Sequence, residues 1–200
     1  MKKISLKTHP TNSVVKKLSL FFLWVSGWKV EGHAPNNPKH VLILAPHTSN
    51  WDLFFILAVL NVLGIKLYWF GKKELFRWPI GGIFRWLGGL PVARSSRENM
   101  VKKTVEIIQS REEITLGVAP EGTRSNSKYW RTGFYHIAHQ AQIPIAFAFL
   151  DYRRKVGGIG PAINPTGEME QDMKKIRQFY TEITPKYPHQ MGKIAFKPQE

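Results

Sequence analysis

Three stretches of strand length are apolar from end to end: residues 40–46 (HVLILAP), 114–119 (ITLGVA) and 143–150 (IPIAFAFL). A strand with one wet face alternates apolar and polar residues, so unbroken apolar runs of this length belong to strands covered on both faces. The segments between them have helical length and spacing. Residues 52–63 (DLFFILAVLNVL) are apolar almost all round, which predicts a deeply buried helix closed by Gly64. Residues 96–109 place Val101, Val105 and Ile108 on one face behind Ser95 or Ser96 as N-cap. Residues 132–141 predict another helix and 169–184 a polar amphipathic one. Further strands are expected at 66–70, 91–93 and 193–196, and a bend at Gly157-Gly158. Alternating strands and helices imply an α/β fold: a single domain with a central mixed sheet flanked by helices. Two hundred residues suit one such core.

Charge separates the two ends of the chain's chemistry. There are 29 Lys and Arg against 14 Asp and Glu, a net charge of +15. Residues 1–40 carry +6 and residues 66–103 carry +7, so two segments hold nearly all the excess. Both are also rich in Trp, Phe and Leu, a mixture suited to lipid headgroups and the acyl region beneath them. The longest apolar runs, 18–25 (LSLFFLWV) and 53–63, fall short of the ~18–20 residues that a bilayer core requires. A secretory signal is disfavoured because Val25-Ser26-Gly27 is a poor cleavage site. Residues 18–28 read instead as an interfacial helix, with Trp24 and Trp28 at headgroup level and Lys16, Lys17 and Lys29 reaching phosphates. The alternative is a helix that simply packs on the domain. A turn region at 31–40 (EGHAPNNPKH) divides a basic, aromatic membrane-interface segment, 1–35, from the domain body, 36–200.

Two constellations stand after the apolar strands. His47 follows the first, with Asp52 five residues later in His-Thr-Ser-Asn-Trp-Asp. An imidazole is suited to take a proton near neutral pH, and a carboxylate on its other nitrogen would fix the tautomer. An N-cap aspartate and an ordinary loop histidine fit the spacing as well. After the second strand comes Pro120-Glu121-Gly122-Thr123-Arg124-Ser125, where the glycine permits a tight turn and Arg124 offers a planar fork for a phosphate. Glu121 could orient that arginine or bind a polar headgroup; a charged turn with an internal salt bridge is the plainer reading.

The remaining inventory narrows the chemistry. There is no cysteine, no G-x-S-x-G elbow, no zinc-ligand spacing and no phosphate-loop or dinucleotide fingerprint. If His47 is a base, the hydroxyl it activates belongs to a substrate, which points to direct group transfer without a covalent enzyme intermediate. No RRM, KH, helix-turn-helix or zinc-finger pattern accompanies the basic charge, so nucleic acid is not the expected partner.

Taken together, these elements resemble the glycerolipid acyltransferase family. Its H-x-S-x-x-D motif matches His47, Ser49 and Asp52. Its second block matches Lys72, Glu74, Leu75, Pro79, Gly82, Gly89, Pro91, Val92 and Arg94, its P-E-G-T-R-S block matches Pro120 to Ser125, and its fourth matches Ile143-Pro144-Ile145. The blocks run in family order from about residue 40 to 150. Pro46, Ala119, Phe147 and Trp130-Arg131-Thr132-Gly133-Phe134 depart from the common pattern and leave the acceptor open.

The resemblance implies an O-acyltransferase of phospholipid biosynthesis that moves a fatty acyl group from a coenzyme A or acyl-carrier-protein thioester to a glycerolipid hydroxyl. The first expected acceptor is 1-acyl-glycerol 3-phosphate; the alternatives are glycerol 3-phosphate, a lyso-aminolipid or another lysophospholipid. In this resemblance His47 is the general base and Asp52 its support, while Arg94, Glu121, Gly122, Thr123 and Arg124 hold the acceptor phosphate or headgroup. No resident cofactor or metal is implied; acyl-CoA or acyl carrier protein serves as co-substrate. The expected partners are that donor, a lysophospholipid and an anionic membrane surface, with the protein peripheral or monotopic on the cytoplasmic face. Residues 76–90 (FRWPIGGIFRWLGGL) are expected to border an acyl-chain tunnel, dip into the membrane, or wall the core. A non-catalytic lipid-binding or nucleic-acid-binding protein is the less favoured alternative.

Overall fold

The computed structural model describes residues 13–92, 97–124 and 127–197. Seven strands form one sheet in the order β1-β7-β6-β2-β5-β3-β4. They are β1 (Lys29–Glu31), β2 (Lys39–Leu44), β3 (Leu67–Lys72), β4 (Gly89–Val92), β5 (Ile114–Val118), β6 (Ile145–Asp151) and β7 (Val156–Ile163). The inner strands are parallel, and only the β6–β7 hairpin runs antiparallel, so the sheet is mixed as expected.

The apolar runs are explained by what covers them. One face of β2, β5 and β6 presents Val41, Ile43, Leu116, Ile145 and Phe147 to a core that includes Phe134, Ile137, Met173, Ile176 and Tyr180. These come from α5 (Gly133–Ala141) and α6 (Met169–Thr181), while α4 (Arg97–Gln109) adds Ile108 to the same core. The opposite face presents Leu42, Ala146, Ala148 and Leu150 to Ile56, Val59 and Leu60 of α2 (Trp51–Val62). Alternate residues of each strand therefore enter opposite cores, which favours apolar residues at nearly every position; the buried polar pair His40 and Thr115 bond each other at 3.1 Å. The Tyr180 hydroxyl, at the heart of the first core, donates to the carbonyls of Ile43 and Ala148 at 3.1 and 3.0 Å.

Four expectations need correction. Helix α2 is not buried all round: Trp51 and Phe54 are exposed at its first turns, because only one side of it meets the sheet. Trp28 is not at an interface but buried, stacked on Phe55 at 4.4 Å and edge-on to Tyr152 at 4.9 Å. Gly157-Gly158 is strand, not bend. A Cβ on Gly158 would lie 2.1 Å from the Glu31 carbonyl oxygen, so glycine there is what lets β1 approach β7. Residues 193–196 contribute one isolated bridge, Trp130 to Phe196, rather than a strand.

The N-terminal helix α1 (Ser13–Val25) lies along α2, with Phe22 on Phe55 at 5.2 Å. Strand β1 falls inside the 1–35 segment yet pairs with β7 of the same sheet. Within 76–90, Phe76 and Leu90 enter the fold, whereas Trp78, Ile80, Ile83 and Trp86 around the short helix α3 (Gly81–Trp86) are exposed.

Candidate active site

Strand register assembles the site. Ile43 of β2 lies beside Val118 of β5, and Leu44 beside Ala148 of β6. Three parallel strands thus end together, and the residues just past each end become neighbours: His47 after β2, Glu121 after β5, Tyr152 after β6. Open α/β sheets characteristically bind ligands at this edge.

His47 and Asp52 meet. Asp52 sits in the first turn of α2, only 5 % exposed, and its side chain reaches back over the preceding turn. Its Oδ2 accepts from His47 Nδ1 at 3.1 Å and from the backbone N–H groups of Thr48 and Ser49 at 3.0 and 2.9 Å. Its Oδ1 accepts the Tyr152 hydroxyl at 2.6 Å. Burial works to raise this carboxyl, but the bonds from His47, Tyr152 and Ser49 outweigh it and hold Asp52 below its ordinary range. An ionised carboxylate only accepts, so the proton between the pair belongs to His47 Nδ1 and the Nε2 lone pair is left free. The same burial and bond push the Tyr152 phenol far above its usual range, so it stays a donor.

Glu121 lies elsewhere than expected. It does not orient Arg124; its Oε1 accepts the His47 backbone N–H at 3.0 Å, and it is buried, with Oε2 left without a partner. Burial pushes its carboxyl up to about 7, against the smaller pull of the hydrogen bonds from its own and the His47 backbone. Arg124 instead donates from Nη1 to Asn50 Oδ1, in the turn between His47 and Asp52. Gly122 has φ +65°, the left-handed region, and a Cβ there would meet Arg131 Nε at 2.5 Å. Thr123 is exposed on the same turn. Arg94 and Ser125, like the caps Ser95 and Ser96, lie outside the described residues.

Two contributors have no motif in the sequence: Tyr152 and Asn50. The signal available for Tyr152 was its position directly after a strand adjacent to the central one. With a base, a buried ionised support and an exposed arginine on one rim, the arrangement can deprotonate a hydroxyl carried by an anionic molecule.

A family model described as Acyltransferase matches residues 27–147. A 1-acyl-sn-glycerol-3-phosphate acyltransferase from Haemophilus influenzae is 26% identical over 128 residues, covering 60% of this chain and 52% of that protein. The alpha 1-acyl-sn-glycerol-3-phosphate acyltransferase of Homo sapiens is 27% identical over 142 residues, covering 66% and 49%. The chain spans about half the length of the curated relatives it matches. The crystal structure of a 1-acyl-sn-glycerophosphate (LPA) acyltransferase, PlsC, from Thermotoga maritima superposes with a TM-score of 0.56 at 17% identity, covering 83% of this chain and 74% of that one. That likeness extends to the fold.

Proposed function

The chain belongs to the Acyltransferase family, and from that premise we propose that it acylates the free hydroxyl of 1-acyl-glycerol 3-phosphate, using a coenzyme A or acyl-carrier-protein thioester. The observation that carries this reading is the His47–Asp52 pair, 3.1 Å apart, with the carboxylate held by four donors.

His47 Nε2 takes the acceptor hydroxyl proton as its oxygen attacks the thioester carbonyl. The imidazolium that forms is stabilised by Asp52, which stays ionised. Collapse of the tetrahedral adduct breaks the carbon–sulfur bond, and the leaving sulfur receives the proton from His47. The ester and a free thiol are the products, and no protein side chain is acylated. Arg124 on the rim would pair with the acceptor phosphate through its fork, and Gly122 and Thr123 shape the turn that carries it. Arg94 is assigned the same phosphate by the motif it matches. Glu121 holds the His47 backbone through Oε1.

Membrane attachment fits the exposed apolar groups. Among the described residues no helix is long and apolar enough to cross a membrane. Helix α1 nevertheless exposes Leu18, Phe21, Val25 and Trp24, the last at 75 %, and Trp78 is 93 % exposed. These groups, with Trp51 and Phe54 beside the catalytic turn, would rest in the interfacial region of the cytoplasmic leaflet and bring a membrane-borne acceptor to His47.

Transfer of labelled acyl groups from acyl-CoA and from acyl carrier protein, measured against a panel of lyso-acceptors with the full chain, tests the reading. Product from 1-acyl-glycerol 3-phosphate is expected; transfer to none of the panel would overturn it.

A further inference from the structure

Two cations contact the dipeptide at the start of α2. Arg124 bonds Asn50, and Lys186 Nζ lies 5.4 Å from the Trp51 ring centre. Lys186 belongs to the segment after α6, beyond the residues that the family model matches. Its position is fixed by the site itself. The Tyr152 N–H donates to the Thr184 carbonyl at 2.9 Å, and the Tyr187 N–H donates to Thr48 Oγ1 at 3.2 Å. The Gln190 amide, turned nitrogen-inward as its neighbours require, donates to the Thr48 and Arg124 carbonyls at 3.0 and 2.9 Å.

The ammonium also faces the rings of Tyr152 and Tyr187, at 5.9 and 5.8 Å. Three aromatic rings from three segments therefore converge on one half-buried charge. No carboxylate partners it among the described residues. Ring faces attract a cation without neutralising it, so the charge remains available to an anion. One of those rings, Tyr152, carries the hydroxyl bonded to Asp52, which ties this box to the catalytic pair.

Accepting the acyl-transfer reading above, we infer that Lys186 selects the acceptor headgroup. Its ammonium, with Arg124, receives the dianionic phosphate monoester of a lyso-acceptor. The filled aromatic box denies the same place to the ammonium of a choline or ethanolamine headgroup, which such rings would otherwise attract. Attraction and exclusion then come from one side chain.

The test compares the full-length wild type with Lys186→Met, which keeps a long apolar stem, and Lys186→Arg, which keeps the charge. Short-chain lysophosphatidate, lysophosphatidylcholine and monoacylglycerol serve as acceptors. In Lys186→Met the ratio of kcat/KM for lysophosphatidate over monoacylglycerol should fall about 10- to 100-fold, mainly through KM, and the ratio over lysophosphatidylcholine at least as far. Lys186→Arg should restore most of both ratios. A uniform loss across the three acceptors, as a packing role would give, or unchanged ratios, overturns the inference. Calorimetric binding of short-chain lysophosphatidate without donor separates the two readings. If the wild type acylates none of the acceptors, the acyl-transfer reading falls, and unchanged binding in Lys186→Met removes the headgroup role as well.

Discussion

The Tyr152 hydroxyl donates to Asp52 Oδ1 at 2.6 Å while His47 holds Oδ2 of the same carboxylate. The two carboxylate oxygens thus have separate partners, one facing the His47 imidazole and one anchored by the residue just past β6. Tyr152→Phe removes a hydrogen bond to a buried charge, worth ~1.5–3 kcal/mol. Turnover should fall about 10-fold or more, and Asp52 should protonate at higher pH. A group with a depressed folded pKa stabilises above its unfolded pKa, and that stability is lost as pH falls through the folded value. In the variant this contribution shrinks, so thermal melts between neutral and acid pH should show a smaller acid-dependent loss than in wild type.

Glu121 titrates in the opposite sense. Its carboxyl is raised to about 7 in the fold, so its contribution is complete below the unfolded pKa and is lost as pH rises through about 7. Glu121→Gln keeps an acceptor for the His47 N–H without the charge. Its unfolding free energy relative to wild type should rise between pH 5 and pH 8, by an amount on the order of 3 kcal/mol at most, and its Tm relative to wild type should rise with it. A difference in Tm that is flat with pH would mean that Glu121 is ionised throughout.

Arg124 is exposed and its described side-chain bond is to the likewise exposed Asn50, so the proposed phosphate role can be tested with little effect on the fold. Arg124→Ala should raise the acceptor KM about 10- to 100-fold with little change in donor KM. Lysine at this position should rescue only in part, because it keeps the charge and loses the fork. Steady-state kinetics with each substrate varied in turn provides the check.

Membrane attachment through α1 is open to direct trial. Phe21 and Trp24 are exposed and pack against each other at 6.1 Å, so replacing both by serine should leave Tm nearly unchanged. Each large side chain removed from the interface forfeits ~1.5–3 kcal/mol. Flotation with anionic vesicles should therefore show bound wild type, retained in part at high salt, and a double variant largely released. Equal flotation of the two would remove α1 from the interface.

The middle of the fold was legible because β2, β5 and β6 are covered on both faces, which leaves unbroken apolar runs in the sequence. The edges were not. Gly157 and Gly158 carry the composition of a bend; as strand they are explained by close neighbours, the Val59 and Leu150 side chains at Gly157 and the Glu31 backbone at Gly158. Trp28 carries the amphipathic chemistry of an interface residue; the neighbour that buries it, Phe55, is fixed by helix packing that no local pattern encodes. In the site, His47 and Asp52 were legible because five residues span one turn into a helix. Tyr152 arrives from a hundred residues away through strand register, and Lys186 through the segment after the last helix.

In the proposed mechanism His47 removes the acceptor proton with Asp52 as its ionised support. Single-turnover acyl transfer by His47→Ala at saturating thioester and 1-acyl-glycerol 3-phosphate, with Tm recorded on the same protein, tests it. Loss of a general base is worth ~10²–10⁴-fold or more when it acts as part of a unit. The expected result is a rate reduced by at least that factor with Tm close to wild type. A rate within a few-fold of wild type would contradict the mechanism.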